Sequence, residues 1–338
     1  GSGSGWKAGL LGGLIAAAVG LLLLGTKLTE APAGGGASSG LKPNAGLMVL
    51  GFLVLGAILG LVAGVVAQAI RGTSKTQPDW LARFAVVSVA AVAPLLFVGG
   101  LVTSNNAGMA VPDWPNTYGS NMFLYALGPR ARPDVYLEHS HRLFGTLVGL
   151  STLILTIWVL RADSRRWVKI VAVAAFGLVC VQGVLGGVRV VANERFLAMA
   201  HGVLAQITLG VLVALAVFLS PKFKSVPTGG LAGGLESLPP GVSRLRFFSA
   251  GLAHSTILQL LLGAAYRHFR DTHSMWSHVA FSLVVLVFGV MCGFAAAAVH
   301  GQLEGLGPII RRTGKWLVGV VTVQFLLGWA AFSMGGRE

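Results

Sequence analysis

The run Glu138-His139-Ser140-His141-Arg142 places a carboxylate, two imidazoles and a guanidinium within five residues. Glu138 and His141 are three apart, so on a helix they share one face. That pairing joins a general acid or base to a ligand for a metal or for haem iron. A carboxylate at a helix start also has an ordinary use, as the partner of the helix dipole. His141, His201 and His278 each stand near the start of an apolar stretch. A single histidine there commonly serves helix–helix hydrogen bonding; three at matching depth on alternate stretches point to axial ligation of a planar cofactor between facing helices. Successive helical residues point about 100° apart, so His139 turns away from His141. His254, His268, His273 and His300 read as structural or solvated.

A repeat accompanies the histidines. Gln182, Gln259 and Gln324 each open the pattern Q-x-x-L-G, and His201 and His278 follow the first two at a distance of 19 residues. The same step from Gln324 passes the last residue, which predicts a further helix with a fourth histidine outside this sequence. A weaker echo sets Ser140-His141 against Ser277-His278, with Met275 at the place of Glu138. The halves thus agree in ligand and differ in acid, as expected if one reacts and the other holds a cofactor.

The elements that must position these residues follow from composition. Of 338 residues, 54% are hydrophobic and 11% charged, against about 25% charged in soluble domains. So few charges exclude a soluble globule, and collagen-like, disulfide-stapled and disordered chains are excluded with it. The formal charge of +14 has no basic stripe with interleaved aromatics, so nucleic acid is not a partner. Nine apolar stretches near 8–25, 46–70, 84–104, 141–160, 170–188, 197–219, 248–266, 277–299 and 316–334 approach or exceed the roughly 20 residues that span a bilayer. Loops on the side of the N-terminus hold fifteen Lys and Arg, Lys7 included, against nine opposite, with Arg142 at a helix start. The positive-inside rule places the N-terminus in the cytoplasm. Trp80, Trp114, Trp167, Trp276 and Trp316 stand near span ends, as interfacial anchors do. Cys180 and Cys292 fall within spans and read as small packing residues.

The chain therefore reads as an all-α polytopic membrane protein, with lipid around it. Residues 1–79 form a two-helix membrane hairpin, 80–220 a four-helix half, 221–247 a cytoplasmic linker, and 248–338 a second half that lacks its last helix. The opening GSGSG, without a methionine, suggests a fragment or a cloning remnant.

Several runs together resemble the haem A synthase family, membrane assembly factors of cytochrome oxidase. They are Gly99-Gly100-Leu101-Val102-Thr103, Gly108 through Asp113-Trp114-Pro115, Glu138-x-x-His141-Arg142, Gln182-Gly-Val-Leu-Gly-Gly, His201-Gly, Gln259 to Ala264, His278, and Gln324 to Trp329. The resemblance covers residue 80 to the end. It implies two pseudo-repeated four-helix bundles and an enzyme, in a bacterial plasma membrane, that oxidises a ring methyl of haem O to a formyl group. It also implies haem B as cofactor in the second half, with haem O synthase and oxidase assembly factors as partners. Carried across, Glu138 matches the catalytic carboxylate, His141 and His201 the histidines of the substrate half with Arg142 beside them, and His278 an axial ligand of the cofactor. Arg189, Arg195, Arg267 and Arg270 are candidates for haem propionates, or ordinary loop charge. The chain departs from the family in its missing last helix, in lacking a cysteine pair in the first outer loop, and in its N-terminal hairpin. Two other readings stay open: a di-haem b-type electron carrier, and a transporter with a proton relay, which would place its site nearer the midplane.

Overall fold

Apolar runs this long must satisfy their backbone internally, and they do so as helices. The computed structural model describes residues 5–30, 40–70, 78–127, 132–225, 240–303 and 306–334. Helices α1 (Gly5–Leu24), α2 (Ala45–Ile70), α3 (Trp80–Ser104), α4 (Pro133–Ala162), α5 (Arg166–Ala192) and α6 (Arg195–Leu219) are followed by the single turn α7 (Pro221–Lys224). Then come α8 (Pro240–Phe269), α9 (Thr272–Ala298) and α10 (Gly307–Ser333). Two short paired segments, Thr29–Glu30 and Gly40–Leu41, are the one sheet among the described residues. Nine of the described helices are long and apolar enough to cross a membrane. The protein is an all-α polytopic membrane protein. Most of the expected 221–247 linker, and the 31–39 part of the hairpin turn, lie outside the described residues.

The helices begin earlier than the apolar stretches suggest. Helix α4 starts at Pro133 rather than 141, α8 at Pro240 rather than 248, and α10 at Gly307 rather than 316. Proline suits the first helical turn, where its missing N–H is not needed. In α4 the polar residues that interrupt the hydropathy are paired with one another and with a loop. Glu138 and His141 therefore sit in the second and third turns, not at the helix start.

Contacts divide the chain into two units: Gly1–Glu194 with Val211–Ala216, and Arg195–Gly210 with Val217–Glu338. In the first, α1 and α2 touch backbone to backbone. A Cβ on Gly13 would stand 2.8 Å from the Gly60 Cα, and one on Gly60 2.7 Å from the Gly13 Cα. Small residues at such spacing let membrane helices approach closely. Helix α3, capped by Asp79 accepting from the Ala82 N–H at 3.0 Å, packs on α4, with the Phe84 and Trp158 rings 5.8 Å apart. Helix α4 joins α5 through the Thr156 hydroxyl, which donates to the Ala172 carbonyl at 3.1 Å. In the second unit α8, α9 and α10 pack in sequence order. There Ser249 Oγ lies 3.4 Å from Cys292 Sγ.

Candidate functional site

In the first unit the loop 105–127 folds back onto α4 and α5. Asp113 organises it: one carboxylate oxygen accepts from the Tyr118 N–H at 2.8 Å and the other from the Gly119 N–H at 2.7 Å. Both residues have positive φ, 50° and 75°, a bend that these two bonds hold. The neighbouring Trp114 lays its ring over Gly187 of α5, where a Cβ would stand 2.6 Å from Cε2. Trp114 thus has a packing partner within the protein, in addition to its place near a span end. Arg189, half a turn on, donates to the Gly108 carbonyl at 3.1 Å. The turn Gly25–Leu28 after α1 reaches the same loop, with Gly25 against the Phe123 carbonyl.

From α4, two successive turns enter this loop. The Glu138 carboxylate, 4% exposed, accepts from the Val111 N–H at 2.9 Å and from Arg142 at 2.7 Å. Arg142 also donates to the carbonyls of Asp113 and Asn116, each at 2.8 Å, and of Val111 at 3.0 Å. The guanidinium fork is thereby spent on one carboxylate and three loop carbonyls. A carboxylate offers about four lone-pair positions; among the described residues two of Glu138's are filled.

The histidines behave differently from one another. His139 is fully buried, with Nδ1 at 3.2 Å from the Thr117 hydroxyl and its ring 5.6 Å from that of Tyr125. It belongs to the loop's anchoring. Tyr118 donates to the Ala110 carbonyl, and burial pushes the phenols of Tyr118 and Tyr125 upward, so both stay protonated. His141 turns to α3 instead, its ring over Gly99, where a Cβ would stand 2.8 Å from Cε1. Its Nδ1 is buried without a hydrogen-bond partner among the described residues. The partner of Glu138 is thus Arg142, one turn on, and not His141.

His278 and His201 belong to the second unit. His278 on α9 lies over Gly263 of α8, where a Cβ would stand 2.7 Å from Cε1. It lines a cavity of about 570 Å³ bounded by α6, α8, α9 and α10, with Gln206, Gln259, Ser282, Gln324 and Trp329 among its walls. That volume lies within the roughly 300–1,000 Å³ of small-molecule sites. The walls are largely apolar, with a few polar groups converging near one imidazole. His201 is on α6 next to Gly202, which lines the cavity. Among the described residues no three His, Cys, Asp or Glu converge as a metal-ion cage.

Sequence reasoning missed Gly99 and Gly263 as seats for imidazole rings and Leu95 one turn before the first; it singled out Gln259 by its step of 19 to His278, without the contact between them. The seats relate α3–α4 to α8–α9, the register carried by the weak Ser-His echo. The Q-x-x-L-G spacing had set α5–α6 against α8–α9.

Residues 130–282 match the family described as "Cytochrome oxidase assembly protein". The chain is 29% identical over 190 residues to a protein named "Heme A synthase" from Geobacillus kaustophilus, covering 55% of each. It is 28% identical over 183 residues to one from Exiguobacterium sibiricum, covering 53% of this chain and 57% of that one. A third, from Chelativorans sp., is 30% identical over 180 residues, covering 49% and 47%. The chain spans about half the length of the curated relatives it matches. No solved structure matches it.

Proposed function

We propose that this chain, similar to the haem A synthase family through the segment that carries His141, His201 and His278, oxidises the ring methyl of haem O to a formyl group. The change from CH3 and H2O to CHO releases four electrons and four protons. It needs a base, an anion near developing positive charge, and an outlet for electrons. The observation that carries the reading is the buried Glu138 carboxylate, held between the Val111 N–H and Arg142 three residues before His141. A fixed anion costs no reorganisation when charge develops. The same carboxylate can take a proton from attacking water. Arg142 holds Glu138 and the loop in place, His141 is the histidine of the first unit for the substrate, and Arg189 closes the loop over α5.

The second unit fits a resident haem B. Gly263 leaves room for the His278 ring, and Gln259 in the same cavity wall has a buried carboxamide oxygen without a partner among the described residues. His278 would hold the iron, and the group would supply one-electron chemistry there. The site lies on the outer side of a bacterial plasma membrane with the N-terminus in the cytoplasm, and the upstream partner is the enzyme that makes haem O. The duplicated histidine seat also suits a di-haem b-type electron carrier, which has no use for a buried carboxylate.

One experiment separates the two readings. Glu138→Ala, expressed in membranes that contain haem O, is expected to keep its bound haem and lose haem A by about 10²-fold or more, measured by extraction of pigments. Undiminished haem A would remove Glu138 from the reaction. No haem A from the unaltered chain would favour the electron carrier.

A further inference from the structure

His278 is held from two directions by one residue. The main-chain carbonyl of Gln259 stands 3.2 Å from His278 Nδ1, and the Gln259 carboxamide donates to the main-chain carbonyl of His278 at 3.0 Å. A carbonyl only accepts, so Nδ1 carries the hydrogen and Nε2 presents its lone pair. The carboxamide nitrogen also comes within 3.5 Å of that Nε2, a contact too long to compete strongly for it. Gly263, one turn after Gln259, leaves the ring its room, with a would-be Cβ 3.0 Å from Nδ1. Side chain and main chain of Gln259 thus tie α9 to α8 on both sides of the imidazole.

The first unit repeats this seat with one replacement. The His141 ring lies over Gly99 with a corresponding 3.2 Å to Nδ1, and Leu95 stands one turn before Gly99 on α3. Leu95 stands where Gln259 stands, and its side chain has no donor to reach back across. The glycine seat is common to both units, and Leu95 has no side-chain group with which to return the hydrogen bond that Gln259 gives.

We infer that Gln259 is the positioning residue that makes the His278 seat a holding site, and that Leu95 at the matching place leaves the His141 seat free to release its ligand. The inference rests on the proposed haem chemistry, in which one haem stays and the other is exchanged. Partners of this kind, one step removed from the metal, fix ring orientation and commonly decide retention. The Gln259 side chain contributes one neutral hydrogen bond in an apolar wall, a difference of about fivefold in an equilibrium constant.

The test uses the full chain in lipid nanodiscs loaded with iron protoporphyrin IX. Haem loss to excess apomyoglobin is followed by absorbance. Two phases are expected, the faster abolished by His141→Ala and the slower by His278→Ala. Gln259→Leu should accelerate the slower phase about fivefold and leave the faster one in place, and Leu95→Gln should slow the faster phase. Gln259→Met, closer in volume, is expected to act as Gln259→Leu does if that variant folds poorly. Ser249→Ala, which removes a contact to Cys292 away from the cavity wall, should move neither phase. Ferric EPR g-values, which report the ligand field at the iron, should shift in Gln259→Leu and not in Ser249→Ala. A slower phase unchanged by both Gln259 variants, or accelerated equally by Ser249→Ala, would overturn the clamp. Haem binding untouched by His278→Ala would overturn the proposed function, and the clamp with it.

Discussion

Removing the Arg142 guanidinium would strand four acceptors at once: the Glu138 carboxylate and the carbonyls of Val111, Asp113 and Asn116. Both members of the ion pair are under 10% exposed. Breaking a buried pair from one side costs about 3–5 kcal/mol, so Arg142→Met is expected to lower the unfolding temperature and open the 105–127 loop to protease. Arg142→Lys keeps the charge and loses the fork, and should recover part of the stability with little of the loop protection. Limited proteolysis beside thermal unfolding checks both. The same loop has a pH dependence through Tyr118 and Tyr125. Burial raises both phenols, so the folded chain holds their protons more tightly than the unfolded chain does. That contribution is intact below the ordinary tyrosine value of about 10 and is lost as pH rises through the folded-state values. Tyrosinate absorbance should rise later than in the unfolded chain, and Tyr118→Phe should remove part of the delay.

At the scale of elements, three close approaches set what the helices can hold. Between α1 and α2 the contact at Gly13 and Gly60 is backbone on backbone. Gly60→Leu is therefore expected to part the hairpin, seen as faster amide exchange along α1 with α9 unchanged. Between α5 and the loop, Gly187 is covered by the Trp114 ring, and Gly187→Val should lift the loop and mimic the protease sensitivity of Arg142→Met. The third approach is the pair of imidazole seats. A valine at Gly99 would displace His141, and one at Gly263 would displace His278. Each is expected to remove one haem per chain and spare the other, measured as haem content of the purified protein.

For the whole molecule, the excess of fifteen Lys and Arg over nine on the two sides predicts that a reporter fused at residue 1 works in the cytoplasm, whereas one fused at residue 338 works outside. An opposite result would also reverse the side on which the site opens. Nine apolar stretches, the residues Glu138, His141, His201 and His278, and the Asp-Trp-Pro loop were all legible in the amino-acid order. Burial in lipid demands long uncharged runs, and ionisable residues at their edges stand out against them. Where α4 begins was not legible, because Glu138, His139 and Arg142 lower the hydropathy of turns that the fold satisfies internally. Nor was Arg142's task, since three of its four partners are main-chain carbonyls that any side chain at 111, 113 or 116 could have carried. The sequence by itself determined the nine long apolar helices found among the described residues and which few residues are candidates for chemistry, because both depend on side-chain type along one chain. Only the tertiary structure decided that Glu138 pairs with Arg142, that Gly99 and Gly263 seat imidazoles, and that Gln259 clasps His278. Those depend on backbone atoms brought together from distant positions, and backbone atoms look the same at every residue.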